Sequence, residues 1–348
     1  MRVFRVISIL LVVSLLALAV LWITGPREPV ELAVAIDEEA IAADPVAYLE
    51  AEEAAVPGVN ERHRKEIVWA FPQSRAKTPL AIVYAHGFSA SRNEIEPVVS
   101  DAAERLGANA FFMRLAGHGR DGAAMGGVSV NDWINDMAEA LAVAEQIGER
   151  TVVIGTSTGA SLAALATLEP GMRERIDALV QISPNYGLAD RRAAVLDFPF
   201  AEDIVRLVEG EERGFEPVSE LHGTEWTTRY PTRAVVVMAA LTRELRGRTF
   251  ENAAVPTLFV FDEEDRVVDS ASTRRVAGRW GRATGARVNI ETVSGVEDPY
   301  RHVIAGDALS PAMTGPITDM IVHWIESLPF AGGGRDHTGA SLPAEPEG

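Results

Sequence analysis

The chain has 348 residues, a formal net charge of −18 and no cysteine. That length holds one sizeable core and allows one or two domains. The acidic balance argues against nucleic acid, whose phosphates need clustered Lys and Arg, and the missing cysteines exclude disulfides, thiolate metal sites and a cysteine nucleophile.

At the amino terminus, Arg2 and Arg5 precede Val6 to Ile23, eighteen residues without a charge, closed by Thr24-Gly25-Pro26. As a helix rising about 1.5 Å per residue the run reaches roughly 27 Å, close to the thickness of a bilayer core. Positive charge on the short leading side predicts that this end stays in the cytoplasm and the rest is exported. Residues 1–24 therefore read as a transmembrane signal anchor. Ala17-Leu18-Ala19 also fits a cleavage site, which would make the protein secreted, but the apolar run continues through Val20, Leu21, Trp22 and Ile23 where a cleavage region turns polar. Residues 25–62, rich in Ala, Glu and Pro, read as an acidic linker or arm with one or two short helices. Residues 331–348 carry Gly, Pro and charge with almost no large apolar side chain, and are expected to form a disordered tail.

Over residues 63–330, short apolar runs alternate with helical patterns. Strands are expected at 66–71, 80–86, 109–114, 151–155, 177–183, 257–262 and 287–294, and helices at 96–108, 130–148, 158–168, 270–280 and 316–328. Near-continuous apolar strands alternating with helices predict a mostly parallel sheet covered on both faces. The rhythm stops between Pro184 and Ala254. That segment, helical or irregular and carrying Phe198, Phe200, Phe215, Trp226 and Tyr230, reads as an insertion outside the sheet.

The stretch Gly155-Thr156-Ser157-Thr158-Gly159 falls on the junction between the fourth strand and the helix after it. A serine hydroxyl becomes a nucleophile only when a base removes its proton and its position is rigid. A sharp strand-to-helix turn provides the rigid position, and brings backbone so close that the residues two before and two after must be nearly free of side chain. Gly155, Ser157 and Gly159 fill this G-x-S-x-G pattern, the nucleophile elbow. The helix start beyond it adds partial positive charge and free N–H groups where an oxyanion forms.

Three further motifs accompany the elbow: His86-Gly87-Phe88 after an early strand, Leu115-Ala116-Gly117-His118-Gly119 after the next, and Trp133 with Asp136 at the start of the following helix. With them the chain resembles the α/β-hydrolase family from about Glu66 to Phe330, in particular its monoacylglycerol-lipase-like and small carboxylesterase members. The resemblance implies an α/β-hydrolase fold over residues 63–330 with a cap inserted at 184–254. It also implies a serine hydrolase that cleaves an acyl ester, such as a monoacylglycerol-like lipid, through an acyl-enzyme without metal or cofactor. A triad in the order Ser, acid, His is expected. The acid belongs in the loop that offers Asp262, Glu263, Glu264, Asp265 and Asp269; the family's position before x-Val-Val points to Asp265, with Asp262 in reserve. His302, in the loop after the last strand, is where the family keeps its histidine.

Of the other histidines, His86 and His118 are expected to hold backbone within their loops and His323 to be packed in an amphipathic helix. His63, His222 and His337 lie outside the sheet framework. Backbone N–H groups of Phe88 and Thr158 would form the oxyanion hole. Thr158 stands where many relatives carry methionine, and the role survives because the family uses the backbone. The same triad serves aminopeptidases and amidases, thioesterases and acyltransferases; a non-catalytic hydrolase-fold scaffold is the reading from another class. Dehalogenases and epoxide hydrolases are disfavoured, because their elbow carries aspartate. An apolar cap and a membrane anchor together favour a hydrophobic acyl ester.

Overall fold

The structure, a computed structural model, describes residues 2–330; the tail at 331–348, and with it His337, lies outside the described residues. Its strands are β1 (Glu66–Val68), β2 (Thr78–Ala85), β3 (Asn109–Phe112), β4 (Gly148–Thr156), β5 (Ala178–Ile182), β6 (Glu212–Gly214), β7 (Arg229–Pro231), β8 (Thr257–Asp262) and β9 (Val288–Val293). Its α-helices are α1 (Arg2–Thr24), α2 (Glu38–Ala43), α3 (Pro45–Ala55), α4 (Val98–Leu106), α5 (Gly122–Met125), α6 (Val130–Ile147), α7 (Thr158–Ala166), α8 (Ala201–Glu209), α9 (Glu220–Glu225), α10 (Arg233–Arg246), α11 (Ser270–Ala277) and α12 (Pro311–Glu326).

Among the described residues the main sheet has seven strands in the order β1-β3-β2-β4-β5-β8-β9. Every neighbouring pair is parallel except the edge pair β1 and β3. Alternate side chains of each strand serve opposite layers. On β2, Ala81, Val83 and Ala85 share an apolar cluster with Leu141 of α6 and Leu165 of α7. Ile82 and Tyr84 belong to the other cluster, with Val99 of α4 and Ile321 of α12. Burial on both faces explains why these strands read as unbroken apolar runs.

From β2 the chain steps to β3 on one side, then crosses back to β4 on the other. Ligands of open α/β sheets bind in the crevice beyond the strand ends at such a reversal. Ala85 of β2 is in register with Gly155 of β4, so the loops that follow open side by side. One loop carries Gly87 and Phe88, the other Ser157.

Residues 25–62 pack on this body. Asp37 and Asp44 cap α2 and α3 through their side chains, and Ile41 and Leu49 join the α6–α7 apolar cluster. Buried Glu53 of α3 accepts from Arg114 at 2.7 and 3.0 Å. Within the 184–254 segment the structure forms α8, the antiparallel pair β6–β7 and, between those two strands, α9. Helix α10, which the sequence places in the insertion, packs on α8 and β7 of that segment and also on α6 and α7, and returns the chain to the sheet. Its run from Ala234 to Thr242 is buried throughout, so it shows no polar face that would mark it as a sheet-covering helix.

Two expectations need correction. Helix α12 starts at Pro311 and continues through Pro316, rather than starting at Pro316. His323 is exposed, not packed, because the buried stripe of α12 runs through Ile321, Val322, Trp324 and Ile325. At the other end of the chain, Phe4–Thr24 of α1 is long and apolar enough to cross a membrane, and none of it is buried against the rest of the molecule.

Candidate active site

The glycines around Ser157 are dictated by contact. A Cβ on Gly155 would sit 2.6 Å from Cα of Ala160, and one on Gly159 would sit 2.0 Å from the Ala85 carbonyl oxygen. Strand and helix can meet this tightly only where side chains are absent. Ser157 itself has φ 51° and ψ −115°, a conformation that L-residues hold only when their surroundings impose it. The surroundings do so: Ser157 N–H donates to Ile182 O at 2.9 Å, and Ser157 O accepts from Ser161 and Asn185 N–H at 3.1 and 3.2 Å.

Three distant loops converge there. Ser157 Oγ lies 3.0 Å from His302 Nε2, and His302 Nδ1 lies 2.8 Å from Asp265 Oδ2. The other carboxylate oxygen of Asp265 accepts from Val267 and Val268 N–H at 2.7 and 2.9 Å. The carboxylate therefore faces the ring in one orientation. Asp262 is engaged elsewhere: its Oδ2 accepts from Arg301 Nε at 2.8 Å.

Burial by itself pushes His302 down, but the charge and hydrogen bond of Asp265, helped by Glu94 and Asp298, outweigh it and leave the ring above its usual value. The histidine loop is shaped by Asp298, which sequence reasoning missed. One of its carboxylate oxygens accepts from His302 and Val303 N–H, both at 2.9 Å, and the other from Tyr300 N–H at 3.0 Å. An aspartate opening an Asx-type turn just before a histidine is the signal that was available.

The loop after β2 is braced by two neutral histidines. Leu115 N–H donates to His86 Nε2 at 3.1 Å and Ser89 N–H donates to His118 Nε2 at 2.9 Å. A backbone amide can only donate, so each Nε2 is an acceptor and each proton sits on Nδ1, facing Gly87 O and Ala116 O. Burial, with the neighbouring imidazole, holds His86 well below the usual histidine value, and burial lowers His118 to about 4. Asp136 accepts from Ala116 N–H at 2.6 Å and Trp133 Nε1 donates to Ala116 O at 3.1 Å, which fixes the next loop. Phe88 and Thr158 N–H have no acceptor among the described residues.

Glu94 was also missed. Although 2% exposed, it accepts from Gly87 N–H at 2.7 Å and from Tyr84 OH at 3.0 Å, and Tyr84 OH lies 3.2 Å from Thr156 Oγ1. One acid thus ties the Gly87–Phe88 loop to the strand end that carries Ser157. Burial pushes its carboxyl up to about 7. A charged residue beside the core positions Ile95 and Val98 was its only mark in the sequence.

A model of the alpha/beta hydrolase family matches residues 82–305. The chain belongs to that family. No curated protein sequence matches it. Among solved structures, a metagenome-derived lipolytic enzyme superposes with a TM-score of 0.59 at 19% identity, covering 78% of this chain and 100% of its own. A monoglyceride lipase of Saccharomyces cerevisiae, solved with a substrate analogue, gives 0.55 at 10% identity over 76% and 90% of the two chains. The monoacylglycerol lipase of Paleococcus ferrophilus gives 0.54 at 14% identity over 75% and 97%.

In this α/β hydrolase the cavity over Ser157 measures about 380 Å³ and includes His302, Glu94 and Asp298 in its wall. The insertion closes it with Phe215, Trp226 and Tyr230. His222, outside the sheet framework, stacks on Phe215 at 5.2 Å in that wall. His63 and the insertion are clasped by Glu225, which accepts from Arg62, His63, Ser91 and Asn93 at 2.6 to 2.9 Å. A larger groove of about 450 Å³ between α10 and α11 is lined by arginines. Four of these, Arg246, Arg274, Arg275 and Arg279, are paired with carboxylates, so the groove offers little free charge. No group of three His, Asp or Glu among the described residues forms a metal site.

Proposed function

We propose that the chain is a serine hydrolase of carboxylic esters, with Ser157 as nucleophile, His302 as base and Asp265 as its orienting acid. The unbroken relay from Ser157 Oγ to His302 at 3.0 Å and on to Asp265 at 2.8 Å carries this reading. His302 Nε2 takes the hydroxyl proton as Ser157 Oγ attacks the ester carbonyl carbon. The tetrahedral oxyanion is held by Phe88 and Thr158 N–H, donors of a kind worth about 3 to 4 kcal/mol each when removed by mutation. The histidine then returns its proton to the leaving alkoxide, the alcohol departs, and water activated by the same ring releases the acid.

The aromatic cavity wall, and the lipases among the neighbours in fold, support a hydrophobic acyl group such as that of a monoacylglycerol-like ester. Residues 63–330 act as the catalytic domain, with a cap drawn from 184–254. Residues 25–62 serve as an arm docked on it, and residues 1–24 as a membrane anchor. The arginines at positions 2 and 5 support placing the catalytic domain on the exported side. Ser157→Ala is expected to abolish turnover of a short p-nitrophenyl ester and labelling by a fluorophosphonate, with the circular dichroism spectrum unchanged; retained turnover rejects the assignment.

A further inference from the structure

The insertion carries an exposed apolar edge. Leu207 is 87% exposed and Val208 74%, while Phe198 and Phe200 are 40% and 39% exposed. Ile204, Leu207 and Val208 recur at i, i+3 and i+4, which puts them on one stripe of α8, and Phe200 stands just before the helix as its N-cap residue. Glu202, Asp203, Arg206 and Glu209 occupy its other side. A short helix with one apolar and one charged side is the shape that lies in a lipid–water interface.

The stripe starts where the anchor ends. Phe200 N–H donates to Pro26 O at 2.8 Å. The Trp22 and Phe198 rings meet edge to face at 4.9 Å. Gly25 packs so tightly that a Cβ would come within 2.5 Å of Pro199 and 2.8 Å of the Phe200 ring, and Arg27 Nε donates to Asp197 O at 3.2 Å. Wherever α1 leaves a bilayer, Phe198 and Phe200 are therefore at its surface. The far end of α8 leads through Gly210 and Glu211 into β6, whose Arg213 and Gly214, with Phe215, line the cavity over Ser157.

We propose that this edge, Phe198, Phe200, Leu207 and Val208, is a docking face that lies in the interfacial layer of the membrane holding α1. The proposal rests on the anchor reading of residues 1–24. Two exposed aliphatic side chains on a nine-residue helix fall well short of the roughly 800 Å² per partner of a stable protein interface. They suffice for a bilayer, because the anchor already holds the helix there and no further translational freedom is lost. The anchored enzyme then lies against the lipid with its cavity wall beside the surface, instead of swinging on a tether.

The absence of cysteine allows single labels to be placed on the full-length chain. Leu207→Cys, Ile9→Cys in the anchor and Glu104→Cys on the exposed side of α4 would each carry an environment-sensitive fluorophore in phosphatidylcholine vesicles. The vesicles would contain lipids brominated near the top or near the end of the acyl chains. The label at 207 is expected to be quenched about twofold or more by shallow bromines, the label at 9 by deep ones, and the label at 104 by neither. Quenching at 9 without quenching at 207 overturns the docking face and leaves the anchor standing; no quenching at either position overturns both. Leu207→Ser with Val208→Ser should lower kcat/KM about tenfold for a long-chain ester carried in the vesicles and leave a soluble short-chain ester unaffected. Equal activity on both substrates overturns the proposal.

Discussion

As the proposed base, His302 would work only when neutral, and its environment holds its proton more tightly than usual. For a raised histidine the protonated, inactive form dominates at low pH. The acid limb of a kcat/KM profile is therefore expected to have its midpoint above 6.5, with activity lost as pH falls through it. Asp265→Asn probes the same contact. Val267 and Val268 N–H would claim the amide oxygen of the asparagine. Its NH₂ would then face Nδ1 and move the imidazole proton to Nε2, toward Ser157. Loss of kcat by about 10⁴-fold is expected from that wrong tautomer, measured by steady-state turnover of a soluble ester. Glu94 behaves oppositely in stability. Its folded value of about 7 lies above the ordinary carboxyl value of 4.5, so its contribution is fully present at low pH and is lost as pH rises through 7. Glu94→Gln keeps an acceptor for Gly87 and Tyr84 and removes the buried charge. Urea unfolding should show the variant more stable than the parent at pH 8, by up to roughly 3 kcal/mol, and close to it at pH 4.

Between strand and helix, the β4–α7 join tolerates little change. Gly159→Ala would drive a methyl into the Ala85 carbonyl, displacing either β2 or the elbow. A loss of several kcal/mol of stability, seen as a drop in Tm, and near-complete loss of turnover are expected. The same crowding made this element readable, because a tight strand-to-helix turn demands small residues at fixed offsets around its serine. The core strands were readable for a different reason, since burial on both faces leaves them no polar positions. Other elements were obscured by features that local sequence does not carry. Strands β6 and β7 are only three residues each, too short for alternation to show. Helix α12 runs through Pro316, which by its local pattern marks a helix start. Asp298 and Glu94 hold backbone N–H groups only two to seven residues away, but an acid in a polar loop looks the same in sequence whether it is solvated or holds its own loop, so neither stood out.

At the scale of the molecule, the resemblance reached the family and the sheet. Residues 25–62 carry the composition of a spacer or arm, yet Glu53 pairs with Arg114 beneath the surface. Acidic composition alone does not distinguish a solvated helix from a docked one. Helix α1 touches the body near its exit but supplies nothing to the cavity over Ser157. Removing Met1 to Thr24 should therefore leave kcat on a soluble short ester within about twofold, and release the protein from the membrane fraction on centrifugation. The hydroxyl at 157 and the ring at 302 are separated by 145 positions in sequence. During synthesis the first emerges from the ribosome long before the second, and until the later loop arrives the serine has no proton acceptor. On the proposed mechanism a growing polypeptide of this kind would be chemically silent toward cellular esters, and would become reactive only when its last crossover has closed.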